Sequence, residues 1–230
     1  MKDRALKYLE KNHLLHMGMI DSIHKSAAEI LYAKTDGVLI KEKKSNAYMV
    51  SVNNFEKGRE LINSISECNL IVSHQKYMVD YILNRFGLSE KLECVQVVYM
   101  DKTKINIKKE LKIKKLEPFQ IKVVLEHYDK LSSSEIEILL KNGKLFGGYK
   151  NGTLIGFVGN HLEGSIGLLE VFPKYRRLGY GEALEGYIVN QMLEKGLVPF
   201  AQVETKNQKS IALQNKLEFS ISSEKLYWIF

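Results

Sequence analysis

Only two cysteines, Cys68 and Cys94, occur in 230 residues. That is too few for a disulfide framework, and the apolar neighbours Leu70 and Val95 suggest buried thiols. The chain also lacks any apolar run long enough to span a membrane. Its opening residues, Met1 to Glu10, mix both charge signs and contain no apolar signal core. These absences lead to the expectation of a cytoplasmic protein without membrane contact. His13, His16 and His24 have no cysteine or carboxylate to complete a ligand set, so they read as surface or partly buried histidines and no metal is expected. What remains is ordinary for a globular chain: 45% hydrophobic and 27% charged residues, and a length comfortable for two domains.

The formal charge is +7, and much of it is lysine spread along the chain. The densest run, Lys102 to Lys115, alternates with Ile105, Ile107, Leu111 and Ile113. Alternation suits an edge strand with one solvated face better than a nucleic-acid arm, so nucleic acid is not an expected partner.

The most informative stretch is Glu170-Val-Phe-Pro-Lys-Tyr-Arg-Arg-Leu-Gly-Tyr-Gly-Glu-Ala-Leu184. Apolar residues up to Val171 and Phe172 read as a buried strand that Pro173 stops. Leu184, Tyr187, Ile188 and Met192 then recur at helical spacing, and Gly196 stands where the helix ends. Between them lies Arg176-x-x-Gly179-x-Gly181. Strand, glycine turn and helix start is a geometry that holds phosphate, because first-turn N–H groups have no intrahelical partner and the helix dipole adds positive charge there. Gly179 and Gly181 let the backbone come close to an anion, and Arg176 and Arg177 add cationic donors.

This pattern resembles the pyrophosphate loop of the GNAT N-acetyltransferases, Arg/Gln-x-x-Gly-x-Gly/Ala. A second element follows in the family's order. Asn207-Gln-Lys-Ser210-Ile-Ala-Leu213-Gln-Asn-Lys-Leu217-Glu-Phe219 is similar to the family's Asn-x-x-Ala/Ser-x-x-Leu-Tyr-x-x-x-Gly-Phe helix and strand. The resemblance covers roughly the second half of the chain. It implies a mixed α/β sheet fold and an acetyltransferase that passes an acetyl (acyl) group from acetyl-CoA to a primary amine of a small molecule or amino acid by direct attack. CoA is a polyanion, so a basic surface suits it by steering.

The first half orders its elements in the same way as the second: helices, a three-strand meander, a helix, a strand, a helix and a strand. Asp36-Gly37 and Asn151-Gly152 both read as two-residue hairpin turns. After Val52, however, the first half has Asn53-Asn54-Phe55-Glu56-Lys57-Gly58, with one glycine and no arginine before it. The expected organisation is therefore a tandem: a degenerate GNAT-like domain over 1–105 and a working one over 106–230. Two strands, around Phe219 and over 226–230, are expected to close the second. This resembles the FR-type and glycine N-acyltransferase-like branches of the superfamily. Oligomeric state, a homodimer included, is left open.

The resemblance implies roles for particular residues. Pantetheine would lie along the main chain of Glu170, Val171 and Phe172, and the pyrophosphate on the backbone of Arg177, Leu178, Gly179, Tyr180 and Gly181 with Arg176 beside it. Asn207 and Ser210 are counted with the cofactor-binding residues. A main-chain N–H near Val171 would stabilise the oxyanion. The strands 166–172 and 198–203 would splay, and Pro199 suits the opened end. Glu170, Glu163 and His161 are the candidates for the base that takes the amine's proton. Two positions depart from the family: its usual tyrosine falls on Gln214, and a base position used by some relatives falls on Gln202. Glutamine is neither acid nor base. Those departures keep a second expectation alive, a non-catalytic acyl-CoA-binding sensor or scaffold.

Overall fold

A computed structural model describes all residues, 1–230. The chain forms two compact units. One comprises Met1–Val98, Gln202–Ile211 and Ser220–Phe230, the other Tyr99–Ala201 and Ala212–Phe219. No helix is long and apolar enough to cross a membrane.

The first unit begins with helices α1 (Lys2–Leu9) and α2 (Met17–His24). A meander follows: β1 (Ala28–Lys34), β2 (Gly37–Glu42) and β3 (Tyr48–Val52). Then come α3 (Phe55–Asn63), β4 (Ile71–Ser73), α4 (Val79–Phe86) and β5 (Lys91–Val98). The first hairpin closes through Lys34↔Gly37, so its loop is Thr35–Asp36, one residue earlier than the Asp-Gly pair suggests. Strand β4 runs parallel to β3, pairing Tyr48↔Ile71, Met49↔Val72 and Val50↔Ser73.

The strand that completes this sheet comes from the far end of the chain. Strand β11 (Ser220–Ile229) pairs antiparallel with β4 on one side and with β5 on the other. It is one long strand with a register shift between Ile221 and Lys225, not two short closing strands. Its side chains alternate as the pleat requires. Leu226 and Trp228 join Val38, Ile40, Met49 and Val72 under α1 and α2, while Tyr227 and Ile229 join Leu39, Val50 and Ile71 under α3 and α4. Cys68 and Cys94 are free and buried, and burial pushes the Cys94 thiol up to about 12.

In the second unit β6 (Lys112–Lys115) is the only strand of the lysine run and pairs with β7 (Leu145–Lys150) alone, as an edge. Short α5 (Ile121–Leu125) and α6 (Ser133–Lys141) lie between them in sequence. The periodicity of 119–131 suggests one helix, but α5 ends by residue 125. Ser132 and Glu135 form a reciprocal capping box on α6. Strand β7 turns through Asn151 (φ +48°) and Gly152 (φ +81°) into β8 (Thr153–Asn160), the two-residue turn expected for Asn-Gly. Strand β9 (Ile166–Val171) continues the meander and leads to α7 (Tyr180–Glu194). Parallel pairing of β9 with β10 (Phe200–Glu204) is confined to Ala201↔Ile166, and helix α8 (Gln208–Lys216) follows.

Leu226 is fully buried in the first unit. Leu226→Ala is expected to lower unfolding free energy by about 2–5 kcal/mol, read by urea denaturation. Removing 220–230 is expected to abolish cooperative unfolding of that unit.

Candidate active site

Strand β9 is interrupted where a site would need it. Gly156 pairs with Val171, Phe157 with Glu170, and then Gly159 with Gly167. Val158 therefore faces both Leu168 and Leu169, which is a β-bulge. Leu168 takes a left-handed φ of +51° although it is a buried non-glycine residue. A bulge disrupts the ladder locally and re-aims main-chain groups. The strand's close neighbours are fixed: a side chain on Gly156 would collide with the Glu170 carbonyl, and one on Gly167 with the His161 imidazole.

Beyond Pro173–Tyr175 the chain turns through Arg177 (φ +62°) and Gly179 (φ +85°) into α7. The left-handed arginine costs about 1–2 kcal/mol, strain of the kind that collects at functional sites. Gly179 is the N-cap and supplies no side chain, so the first-turn N–H groups of α7 have no capping partner from the cap residue. The glycines here are not demanded by packing around them. A Cβ on Gly179 would meet nothing within 4 Å, and one on Gly181 only Leu213 and Val171, both at 3.8 Å. Arg177, Leu178 and Gly179 are exposed, whereas the Tyr180 ring is buried. Lys109 and Lys150 stand over that ring, 5.7 and 5.6 Å from its centre.

Arg176 folds back onto the strand end. Its Nε donates to the Val171 carbonyl at 2.8 Å and a terminal nitrogen donates to Glu170 at 2.6 Å. The loop is thus pinned to β9, and Glu170 carries a cationic partner. Glu163 accepts from Ser165 Oγ at 2.5 Å in the hairpin that enters β9. His161 stands against Gly167, one residue before the bulge. At about 3.3 Å per residue, Glu170 lies roughly 13 Å along the strand from Ile166. The three candidate bases therefore do not form one cluster: His161 and Glu163 share the entry to β9, and Glu170 its exit. Asn207 Oδ1 accepts from Ser210 N–H at 3.1 Å and caps α8; both residues belong to the first unit.

Three further residues escape a reading of motifs. The His127 ring stacks on Phe172 with centres 4.0 Å apart, and its Nδ1 bonds the Val123 carbonyl at 2.9 Å. Neighbouring Tyr128 packs into the core with Leu168, and its hydroxyl is pushed up to about 12, chiefly by burial, with Asp129, Glu163 and Glu135 adding. Glu185, on α7, is buried and accepts from Gln214 Nε2 at 2.5 Å. No periodic or motif signal marks the first two. Glu185 stands out only as a carboxylate near the apolar stripe of α7.

Glu185 and Gln214 explain each other. Glu185 Oε2 and Gln214 Oε1 find no partner. Burial pushes the Glu185 carboxyl up to about 7, against the Gln214 hydrogen bond that lowers it. A proton on Oε2 would lower the cost of burying this carboxyl, which is the direction in which its pKa is pushed. Gln214 is thus a buried structural partner. Gln202 is likewise engaged: it donates to Gln96 Oε1 at 3.3 Å and accepts from Trp228 Nε1 at 2.6 Å.

A bulged strand thus runs into an uncapped, glycine-led helix within a mixed α/β fold. Residues 107–219 match the Acetyltransferase (GNAT) family. The family and fold support acyl transfer as the general chemistry. The solved structures it is similar to include a Drosophila protein with 16% identity and a TM-score of 0.65, over 84% of this chain and 73% of that one. A GCN5-related N-acetyltransferase-like protein from Streptococcus suis shares 14% identity at a TM-score of 0.57, over 99% and 100% of the two chains. A GNAT-family acetyltransferase from Colwellia psychrerythraea shares 12% at 0.54, over 98% and 97%. At such identities the likeness speaks for the fold alone. No curated protein matches the sequence.

A carboxyl whose pKa is raised on folding stabilises the native state fully below its unfolded value and loses that contribution as pH rises through the folded one. Glu185 should therefore cost stability progressively between its ordinary value of 4.5 and about 7. The expected size is a few kcal/mol. Glu185→Gln should remove this component, so the stability difference between wild type and variant should shift in the variant's favour from pH 4.5 to 7 in paired denaturation series.

Proposed function

We propose that the second half of the chain carries an N-acetyltransferase using acetyl-CoA on a primary amine of a small molecule or amino acid, and that the first half is a degenerate copy; of the 106–230 range read from sequence, Gln202–Ile211 and Ser220–Phe230 pack with the first unit. The bare start of α7, at the exit of the bulged strand β9, carries this reading. The contrasting junction of the first half supports it. There Asn54 caps α3, its Oδ1 accepting from Lys57 N–H at 2.9 Å. Gln75 Oε1 holds the Val52 N–H at 2.9 Å. Two of the donors that a diphosphate and a pantetheine amide would use, the Lys57 and Val52 N–H groups, are already taken there. Two buried free thiols suit a reducing, cytoplasmic setting.

The residues around α7 fit the cofactor's chemistry. Backbone N–H groups from Arg177 to Gly181 would hold the diphosphate, with Arg177 beside them and room over both glycines. Val171 and Phe172 would carry the pantetheine arm. Bound there, acetyl-CoA supplies an acyl group activated as a thioester. The main chain opened by the Leu168 bulge is the natural donor to its carbonyl, upstream of the Val171 position read from sequence. We assign the base to His161, which stands one residue before that bulge; Glu163 is the runner-up, and Glu170 is occupied by Arg176. The base must accept a proton because alkylammonium, with a pKa of about 10, is not nucleophilic.

The sensor reading keeps one specific support: Gln214, where relatives carry a tyrosine, is buried and committed to Glu185. Thiol release over a panel of amines separates the two readings, since binding without release favours the sensor.

Calorimetry with acetyl-CoA tests the placement. Gly181→Glu is expected to weaken binding by about a hundredfold or more, with the fold intact because a Cβ has room there. Gly179→Glu would add backbone strain at φ +85° and is the less clean variant. His161→Ala is expected to lower kcat by about 10²–10⁴-fold while CoA affinity stays unchanged. Full turnover in that variant would reassign the base.

A further inference from the structure

The first unit holds a pocket of its own. A cavity of about 220 Å³ opens beside the end of β3, with Ser51 and His16 in its lining. Both are buried, at 1% and 5% exposure. Ser51 Oγ donates to His16 Nε2 at 2.8 Å, because His16 Nδ1–H is spent on the Leu9 carbonyl at 2.9 Å. Gln75 Nε2 donates to Ser51 Oγ at 3.1 Å. With its hydrogen donated to His16 and one bond accepted from Gln75, the Ser51 hydroxyl is part of a bonded floor. Burial lowers the His16 pKa, which keeps the floor uncharged.

The rim differs. Lys11 and Glu224, both exposed, line the same cavity and carry opposite charges. Neither takes part in an ion pair. Beside them the Tyr8 hydroxyl donates to Asn53 Oδ1 at 2.9 Å. A wider groove of about 640 Å³ on α3 offers no such opportunity, since its Lys57 is paired with Asp36 and Glu60 and its Arg59 with Glu56.

Size and charge together select a ligand. The volume falls below the roughly 300–1,000 Å³ of clefts for drug-sized molecules, so the occupant is small. One cation and one anion around so small a space suit a molecule that carries both signs a few bonds apart. A ligand of single charge would be attracted by one rim group and repelled by the other. A diphosphate is excluded by the capped start of α3. We propose that the first unit binds a small zwitterion, an α-amino acid, its carboxylate at Lys11 and its ammonium at Glu224, over the Ser51–His16 floor. This inference does not depend on acyl transfer in the second half.

The test is a thermal-shift screen of the full chain against the proteinogenic L-amino acids, followed by calorimetry on any that stabilise it. At least one should bind. Its amino alcohol, which lacks the carboxylate, and its N-acetyl derivative, which lacks the ammonium, should each bind about tenfold more weakly or worse. Lys11→Met and Glu224→Gln, both surface changes, should each weaken the amino acid by a similar factor and leave acetyl-CoA binding and melting temperature unchanged. Absence of binding by every amino acid overturns the proposal. So does an affinity that survives both variants, which would put the ligand elsewhere, or an amino alcohol or N-acetyl derivative that binds as tightly as the parent.

Discussion

The start of a helix leaves its first amide donors without backbone partners, and how each unit answers that constraint decides what each can do. In the first unit the answer is internal: Asn54 caps α3 and a glutamine side chain takes the Val52 amide. In the second, Gly179 begins α7 with nothing to offer, and the adjoining residues leave open space above it. Two junctions of the same order, strand then helix, thus differ in whether a side chain fills the cap. The capped one is closed by its own side chain; the open one leaves its first N–H groups to solvent or to an anion.

The bulge in β9 belongs to the same logic. A regular strand would spend its main-chain groups on its neighbours. By setting Leu168 and Leu169 opposite the single residue Val158, the second unit keeps some of them available beside a strand whose parallel partner is engaged at one register point. Arg176 then ties the loop to the strand through the Val171 carbonyl and Glu170. Recognition of the carrier and exposure of the reacting carbonyl would come from adjacent segments of one chain, so their spacing is set by covalent geometry.

Much of this was legible in residue order. The glycine–arginine turn, the stripe of α7 and the Asn-Gly hairpin each follow from local preferences, and local preferences are what periodicity reports. The loop at Thr35–Asp36 shows the limit: an Asp-Gly pair marks a turn, but pairing across the hairpin fixes its register. Two other features lay out of reach because they rest on contacts between distant residues. Nothing near Gln214 announces Glu185, and the closing strand reads as two pieces because its bulge hides its continuity. His127 was equally silent, since ring stacking on Phe172 has no sequence period.

Strand β11 completes the sheet of the first unit, lying between β4 and β5 although more than a hundred residues separate it from either. During synthesis β11 must therefore be made before the earlier β4 and β5 can close around it. Until then the facing edges of β4 and β5 wait, unpaired, for a strand that has not yet been made. A nascent chain with such exposed edges is the kind of species that chaperones retain. Closure of this sheet thus waits on the synthesis of β11, and a copy terminated before residue 220 would carry a permanently open sheet.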